Sequence, residues 1–254
     1  MPAQQRIRFD SDVVQQAGVM VTPASDAGFE AELLPFLQNP RSDLAAFAPI
    51  RPYSLIIRNT SSKNIAAISL RWDRSFAAAP PNHEVMDITP RHNAEMRAQF
   101  ATGEAYLVFP SQGTFGNNVA RTTAHIADRV VREFSSAETV TILVDAIILD
   151  DGRLVGPDKG GMSVQYETER QAILDTLQSL QTLRSLNKSH ASFLQQLAAV
   201  RPQPTNPEAR RDVKFNYDKM RLKLSSLLNP ASIEEAITTV SVIRDHYPAL
   251  QKAD

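Results

Sequence analysis

Histidine and carboxylate side chains are concentrated in the proline-marked segment between residues 83 and 95. It contains His83, His92 and Glu95, together with Glu84 and Asp87. Imidazole and carboxylate groups bind zinc and similar metals, and a metal with one open position can activate water for hydrolysis. The spacing matches no established motif, because His92-x-x-Glu95 lacks the second histidine of a helical zinc site. A solvated loop is the favoured interpretation, and a metal site of His83, His92 and Glu95 is the alternative.

Four aspartates form a second group of oxygen ligands around a predicted turn. They are Asp145, Asp150, Asp151 and Asp158. Oxygen-rich turns can hold calcium between loops. The sequence has no EF-hand spacing, and Asp150-Asp151-Gly152 is already accounted for as a tight turn. We favour the turn over a calcium site.

A third candidate is a basic stripe on a predicted helix. Arg210, Lys214 and Arg221 follow the spacing of one helical face beside apolar positions. Such a stripe could contact an acidic partner or nucleic acid. Acidic residues are interspersed with it, and no aromatic residue alternates with these charges as single-strand binding requires. We therefore expect a solvated face, with partner binding as the alternative and no nucleic-acid binding.

Several catalytic chemistries are excluded by the residues themselves. The 254 residues contain no cysteine, which excludes disulfides, thiolate zinc sites, iron–sulfur clusters and a cysteine nucleophile. Neither Gly-x-Ser-x-Gly nor Ser-x-x-Lys with its companion motifs occurs. No Walker A or Gly-x-Gly-x-x-Gly loop is present. We therefore expect no cofactor, and an enzyme is the less favoured class.

The distribution of glycine divides the chain into two regions. All nine glycines lie at or before Gly161, and the remaining residues contain none. Because glycine and proline break helices, a long stretch without glycine and with proline only at its joints predicts helices. We predict a β-sandwich domain over residues 1–161 and a helical region over residues 162–254.

Three segments of the first region have strand patterns. Residues 53–72 consist of two β-rich runs around a polar turn cluster and predict a hairpin. Residues 104–109 predict another strand. In Thr139–Leu149 alternate residues from Val140 to Ile148 are expected to share one face, and the following Asp-Asp-Gly predicts a hairpin. Strands without alternating helices favour an antiparallel sandwich.

The segment Tyr53–Trp72 resembles a pattern of immunoglobulin-like and fibronectin-type β-sandwiches of uncharacterised bacterial proteins. The shared pattern is a strand, then Asn-x-Ser-x-Lys at residues 59–63, then an alternating strand that ends in Trp72. The resemblance covers residues 50–158 and implies an immunoglobulin-like fold. It carries no catalytic motif, and folds of this type serve many functions.

The other parts of the first region have weaker patterns. Val19–Val21 is expected to form an edge strand, and Phe29–Leu37 a short helix or a strap over the sandwich. A weak strand is expected near residues 96–100, and a strand or short helix around residues 124–134.

The second region predicts three helices. The first extends from Ser163 to about Val200, with a possible break at Asn187-Lys188-Ser189. Asn206 and Pro207 are expected to start the second helix, whose apolar positions from Val213 to Leu227 follow a heptad spacing. Ser232-x-x-Glu235 is a capping box for the third. The predicted fold class is therefore α+β, an antiparallel immunoglobulin-like sandwich followed by three helices.

These features favour a non-enzymatic binding or structural module whose helices contact a protein partner or self-associate. The alternative is a metal-dependent hydrolase that uses residues 83–95. The absence of a long apolar run predicts no membrane span, and the formal charge of −1 argues against a strongly basic membrane-surface protein. The first twenty residues lack a signal-peptide core, which favours the cytoplasm. A periplasmic or secreted location stays open for a chain whose signal peptide has been removed.

Overall fold

The structure is a computed structural model that describes residues 6–10, 12–37, 40–88, 100–110, 119–205, 209–228 and 232–251. The strands are β1 (Arg6–Asp10), β2 (Val19–Pro23), β3 (Leu55–Asn59), β4 (Ile65–Ser75), β5 (Asn82–Ile88), β6 (Ala105–Val108), β7 (Thr139–Leu149) and β8 (Leu154–Val155). The helices are α1 (Asp12–Ala17), α2 (Phe29–Leu33), α3 (Pro40–Phe47), α4 (Val119–Phe134), α5 (Met162–Ser185), α6 (Ala191–Ala199), α7 (Val213–Leu227) and α8 (Ile233–Asp245). The fold is α+β. No helix among the described residues is long and apolar enough to cross a membrane.

The strands form two sheets that share one hydrophobic core. Sheet A has the order β1-β7-β4-β5, with β8 paired to β7, and sheet B has the order β2-β3-β6. Both sheets contribute to one cluster of buried apolar side chains, which also receives residues from α2, α3 and α4. At its centre Trp72 is fully buried and donates its indole N–H to the carbonyl oxygen of Tyr53 over 2.9 Å.

The predicted antiparallel immunoglobulin-like sandwich is wrong. Sheet A is mixed, because β1 pairs with β7 in the parallel direction while the other pairs are antiparallel. Helices α1 to α4 also lie within the first region, and the sequence patterns indicated only two of these helical segments. Local alternation reveals a strand but carries no information on which strand lies beside it.

The predicted hairpin over residues 53–72 is also wrong, although both of its strands exist. β3 belongs to sheet B and β4 to sheet A, so the intervening turn crosses between sheets. The buried side chain of Asn59 holds this crossing: its amide donates to the carbonyl oxygens of Lys63 (2.8 Å) and Phe100 (2.9 Å), and its oxygen accepts from Ser61. The Asn-x-Ser-x-Lys motif therefore organises a crossover rather than a hairpin.

A β-bulge divides β7 between two environments. Ser69 pairs with Ala146 and the next residue, Leu70, pairs with Val144, which leaves Asp145 as an extra residue. An extra residue reverses the alternation beyond it. Val140, Ile142 and Val144 therefore face the core between the sheets, while Ala146 and Ile148 face the other way. The expectation that they share one face is wrong, and the Asp-Asp-Gly hairpin between β7 and β8 is confirmed.

The opposite face of sheet A is covered at this end by the C-terminal helices. Ala66, Ala67, Ala146 and Ile148 share a second hydrophobic cluster with residues of α5 to α8. α5 packs against α7 and α8, and α6 packs against α7. Whether residues 1–161 and 162–254 are separate domains stays a prediction.

The described C-terminal residues form four α-helices rather than three, because the first predicted helix is broken where expected. α5 ends at Ser185, α6 begins at Ala191, and Asn187 between them has a positive φ of 50°. The capping box of α8 is confirmed, with hydrogen bonds in both directions between Ser232 and Glu235.

The start of α7 differs from the prediction. Its N-cap is Asp212, which accepts a hydrogen bond from the amide of Phe215 over 2.9 Å. The predicted cap Asn206 and Pro207 lie outside the described residues. Asp212 also accepts from the amide and hydroxyl of Thr205, so one carboxylate joins the connecting loop to the first turn of the helix.

Two short elements of the first region match their predictions. β2 lies at the edge of sheet B, as expected for Val19–Val21. Phe29–Leu37 forms α2 followed by a 3₁₀ turn, Leu34–Phe36. The weak strand expected near residues 96–100 falls mostly outside the described residues; within them Phe100 forms an isolated bridge with Ile65. The helix α4 includes the segment for which a strand or short helix was expected.

Candidate functional site

The short helix α2 is anchored to sheet B by its apolar residues. Phe29 and Leu33 are four residues apart, so they lie on one side of the helix, and both are fully buried. The amide of Gly28 donates to Asp26 over 2.8 Å, which forms a turn just before the helix. Pro35 follows within the 3₁₀ turn and limits the helix length. This short rigid segment therefore positions the side chains that lie next to its anchors.

The face of sheet B beneath α2 is defined by alternation along its strands. Thr22 pairs with Ile56, and the hydroxyl of Thr22 donates to Oε1 of Glu32 on α2 over 3.0 Å. Arg58, two residues after Ile56, lies on the same face, and its register partner on β6 is Ala105. Strand alternation thus places an arginine opposite a glutamate of the covering helix.

Between α2, the 3₁₀ turn and sheet B lies a cavity of about 480 Å³ that is open to solvent, with Ala31 and Pro35 exposed at its rim. Its walls combine four apolar residues with one arginine and one glutamate; the lining residues are Ala31, Glu32, Pro35, Phe36, Arg58 and Ala105. Large apolar side chains are also exposed beside it: Met20 pairs with Arg58 in the sheet, and Leu34 precedes Pro35. We call this site the Arg58 cavity.

The two charged side chains of the Arg58 cavity are paired but incompletely hydrogen-bonded. Nη2 of Arg58 lies 3.6 Å from Oε2 of Glu32, an ion-pair distance that is too long for a hydrogen bond. Nη1 of Arg58 donates to the carbonyl oxygen of Gly103 over a long 3.4 Å. Oε2 of Glu32 is buried and accepts no hydrogen bond among the described residues. Buried polar atoms are normally hydrogen-bonded, so this oxygen has unused acceptor capacity.

Our sequence interpretation missed both charged residues of this cavity. Arg58 stands alone after an apolar run, Leu55-Ile56-Ile57, and Glu32 lies in a segment predicted only as a helix or strap. The one available signal was a single arginine at the end of a buried strand. Because 26 positions separate the two residues, no local spacing pattern links them.

The predicted metal ligands lie only partly in the described chain. His83 is exposed on the edge strand β5, and its register partner on β4 is Asp73, which is bonded to Arg71. His92 and Glu95 lie outside the described residues. Among the residues that the structure describes, no group of three or more metal-binding side chains is found. The metal site of His83, His92 and Glu95 stays a prediction.

The four aspartates considered for calcium have separate structural partners. Asp145 is fully buried and accepts from the amides of Lys159 (3.1 Å) and Gly160 (2.6 Å). Asp158, at a positive φ of 49°, accepts from the amides of Met162 (2.7 Å) and Ser163 (3.0 Å) at the start of α5. Since Asp158 already accepts from the first amides of α5, these amides do not offer an anion site for a phosphate.

The remaining two aspartates hold the turn between β7 and β8. Asp150 accepts from the amide of Asn64 over 3.0 Å. Asp151 is bonded to Lys63 and accepts from the amide of Arg153 over 3.1 Å. The hydrogen bond from Lys63 lowers the pKa of Asp151 below its usual range. These contacts support the interpretation of Asp-Asp-Gly as a structural turn.

The predicted basic stripe is partly neutralised within its own helix. Lys214 forms an ion pair with Asp218 one turn later, and the guanidinium of Arg221 lies 5.8 Å from the ring centre of Tyr217. Arg210 belongs to the 3₁₀ turn Ala209–Arg211, before α7. Partner binding through Arg210, Lys214 and Arg221 stays a prediction.

A further polar network lies inside the helical layer. Glu169 accepts from the side-chain amide of Gln165 (2.9 Å) and from the hydroxyl of Tyr247 (2.8 Å). The ring of Tyr166 stacks on that of Tyr247 at 4.9 Å, and burial raises the pKa of Tyr166. Because these side chains are buried among packed helices, the more open Arg58 cavity is the stronger candidate.

Comparisons of the chain with protein-family models, with curated proteins and with solved structures found no significant match. The function of the chain is therefore inferred from the geometry of the Arg58 cavity.

Proposed function

We propose that this protein is a non-enzymatic binding module that takes a small charged ligand into the Arg58 cavity. The observation that carries the proposal is a cavity of about 480 Å³ in which an arginine and a glutamate face each other without a hydrogen bond. Ligand pockets usually have volumes of roughly 300–1,000 Å³ and combine apolar walls with a few polar groups. The Arg58 cavity has both properties.

The apolar walls and the two charges have different roles in this proposal. Ala31, Pro35, Phe36 and Ala105 provide surface for an apolar ligand body, whose burial supplies affinity. Arg58 and Glu32 orient the ligand through charged groups. Since both side chains are partly exposed, their mutual attraction is weak enough to be replaced by contacts with a ligand.

The helices support sheet A in this proposal and do not supply the binding surface. On the predicted heptad seam of α7, Met220 and Leu224 are buried in the cluster that the helices share with sheet A. These two residues are therefore not available for self-association, whereas Val213 at the start of the seam is exposed. The site in sheet B requires no such surface.

Nuclear magnetic resonance titration tests this function with three probes of similar size. The probes are phenylacetate, which is anionic, phenethylamine, which is cationic, and L-phenylalanine, which carries both charges. We expect at least one probe at millimolar concentration to shift the amide resonances of Ala31, Arg58 and Ala105. Amides in the helical layer, such as that of Ile173, should not shift.

Two blocking variants and one matched control complete this test. Ala105→Phe and Ala31→Phe fill the cavity from opposite walls, and each should abolish the shifts. Ala198→Phe adds the same side chain at an exposed position of α6 and should leave them unchanged. If no probe shifts the cavity amides, or if the shifts persist in both folded blocking variants, the proposed function is wrong.

A further inference from the structure

We infer that the ligand of the Arg58 cavity is a free α-amino acid with an apolar side chain. This inference rests on the proposed function and narrows it from a charged ligand to a zwitterion. Four observations carry it: the unused acceptor on Glu32, the unused donors on Arg58, the 3.6 Å between them and the apolar walls.

Glu32 provides a site for an ammonium group. Its Oε1 accepts from the hydroxyl of Thr22, whereas its buried Oε2 accepts no hydrogen bond among the described residues. A carboxylate oxygen that is removed from water without a donor is costly. An ammonium group has three donors and a positive charge, so it satisfies this oxygen better than a neutral ligand would.

Arg58 provides a site for a carboxylate. A guanidinium has five N–H donors, and among the described residues the guanidinium of Arg58 donates one hydrogen bond, the long one to Gly103. Its planar group matches a carboxylate with two parallel hydrogen bonds. The side chain extends from a central strand of sheet B, which positions it more precisely than a loop would.

The short distance between the two charges selects a ligand that carries both. A ligand with only a carboxylate would place a second anion close to Glu32, and one with only an ammonium would place a second cation close to Arg58. Each arrangement is repulsive. An α-amino acid carries its carboxylate and ammonium on one carbon atom. Its ammonium therefore contacts Glu32 while its carboxylate contacts Arg58, so that positive and negative groups alternate around the site.

The apolar walls indicate the side chain of this amino acid. Phe36, Pro35, Ala31 and Ala105 offer carbon surface without another charged group among the residues that line the cavity. A charged ligand side chain would lose its hydration there without a partner. An aliphatic or aromatic side chain gains from the same contact.

Peptide termini differ from a free amino acid in a testable way. The amino terminus of a peptide lacks the adjacent carboxylate, and its carboxyl terminus lacks the adjacent ammonium. Isothermal titration calorimetry with L-phenylalanine, N-acetyl-L-phenylalanine and L-phenylalaninamide separates these cases. We expect L-phenylalanine to bind at least tenfold more tightly than either derivative.

Variants of the two charged residues assign the contacts. Glu32→Gln and Arg58→Gln should each weaken L-phenylalanine binding at least tenfold. The matched controls are Glu30→Gln and Arg51→Gln, since Glu30 of the same helix forms an exposed ion pair of 2.7 Å with Arg51 of the 3₁₀ turn Arg51–Tyr53, and neither residue lines the cavity. Both controls should bind as the unchanged protein does. Glu32→Gln should also bind N-acetyl-L-phenylalanine more tightly than the unchanged protein, because the repulsion is removed.

The outcomes separate this inference from the proposed function. If either derivative binds as tightly as L-phenylalanine, or if phenylacetate alone shifts the cavity amides, the inference of a zwitterionic ligand is wrong while the proposed binding function stands. If Glu32→Gln and Arg58→Gln leave the affinity unchanged, the assignment of the charges is wrong. If no probe binds in either experiment, both proposals fail.

Discussion

Two acidic regions of this protein differ in how their carboxylates are satisfied. Around the loop from β8 to α5, Asp145 of β7 and Asp158 of the loop use both of their oxygens to accept backbone N–H groups. In the Arg58 cavity, Glu32 uses one oxygen and leaves the other without a hydrogen bond among the described residues. Both regions contain carboxylates beside turns, and their residue types alone do not distinguish them.

The difference separates structural carboxylates from a candidate binding carboxylate. A buried acceptor that is fully bonded has no capacity for a ligand and is costly to remove. An acceptor with unused capacity contributes no hydrogen bond to stability and can gain one from a ligand. The comparison therefore predicts opposite effects of mutation on stability and on binding in the two regions.

The largest loss of stability is expected for Asp145→Ala. The substitution leaves the amides of Lys159 and Gly160 without their acceptor at a fully buried position, which should cost about 4 kcal/mol of unfolding free energy. Asp145→Asn retains one acceptor oxygen and should cost about half as much. Urea denaturation followed by circular dichroism measures both losses. A loss below about 1 kcal/mol for Asp145→Ala would show that this carboxylate does not stabilise the fold through these hydrogen bonds.

A smaller loss is expected for Asp158→Ala. Asp158 accepts the first amides of α5, so its removal should cost about 1–2 kcal/mol, as for other helix caps. Asp158→Asn is the matched variant, because asparagine keeps an acceptor and tolerates the positive φ. It should lose less in the same denaturation experiment. Equal losses in the two variants would show that the carboxylate does not act through these hydrogen bonds.

The half-buried pair of Asp151 and Lys63 should contribute less than about 1 kcal/mol, and only where Asp151 is ionised. The pKa of Asp151 is lower in the folded state, so its contribution is present above the unfolded value of about 4 and is lost as the pH falls through the folded value. The stability difference between the unchanged protein and Asp151→Asn should therefore shrink in acid. A difference that is constant from pH 7 to pH 2 would contradict this assignment.

The smallest change in stability is expected for Glu32→Gln. Oε2 accepts no hydrogen bond among the described residues, and glutamine can keep the bond from Thr22, so the change should stay within about 0.5 kcal/mol. Glu30→Gln on the same helix provides the reference. If Glu32→Gln unfolds more easily than Glu30→Gln by over about 1 kcal/mol, Glu32 is a structural residue and the contrast between the two regions disappears.

The sequence predicted the features that depend on neighbouring residues. Ser232 and Glu235 are three positions apart, and their capping box forms as expected. The break at residues 187–189 and the hairpin after β7 follow from the same kind of short-range signal. In each case the hydrogen-bonding partners lie within a few residues, so the pattern contains all the information that the structure uses.

Features that depend on distant residues were predicted poorly. The bulge at Asp145 exists because β7 pairs with β4, and the reversal of faces beyond it cannot be inferred from β7 alone. The N-cap Asp212 is an exception, because it meets the local preference for a cap and was still missed in favour of Asn206. The candidate site was missed entirely, since Arg58 and Glu32 belong to a strand and a helix with no shared pattern.

The sequence by itself therefore determined where most of the long strands and helices lie and which chemistries that require cysteine are excluded. Only the tertiary structure decided that β1 runs parallel to β7, that β3 and β4 belong to different sheets, and that Glu32 faces Arg58. The physical reason is the range of the interactions. Backbone hydrogen bonds in helices and turns join near neighbours, whereas sheet pairing and cavity walls join segments that come together only when the hydrophobic core forms.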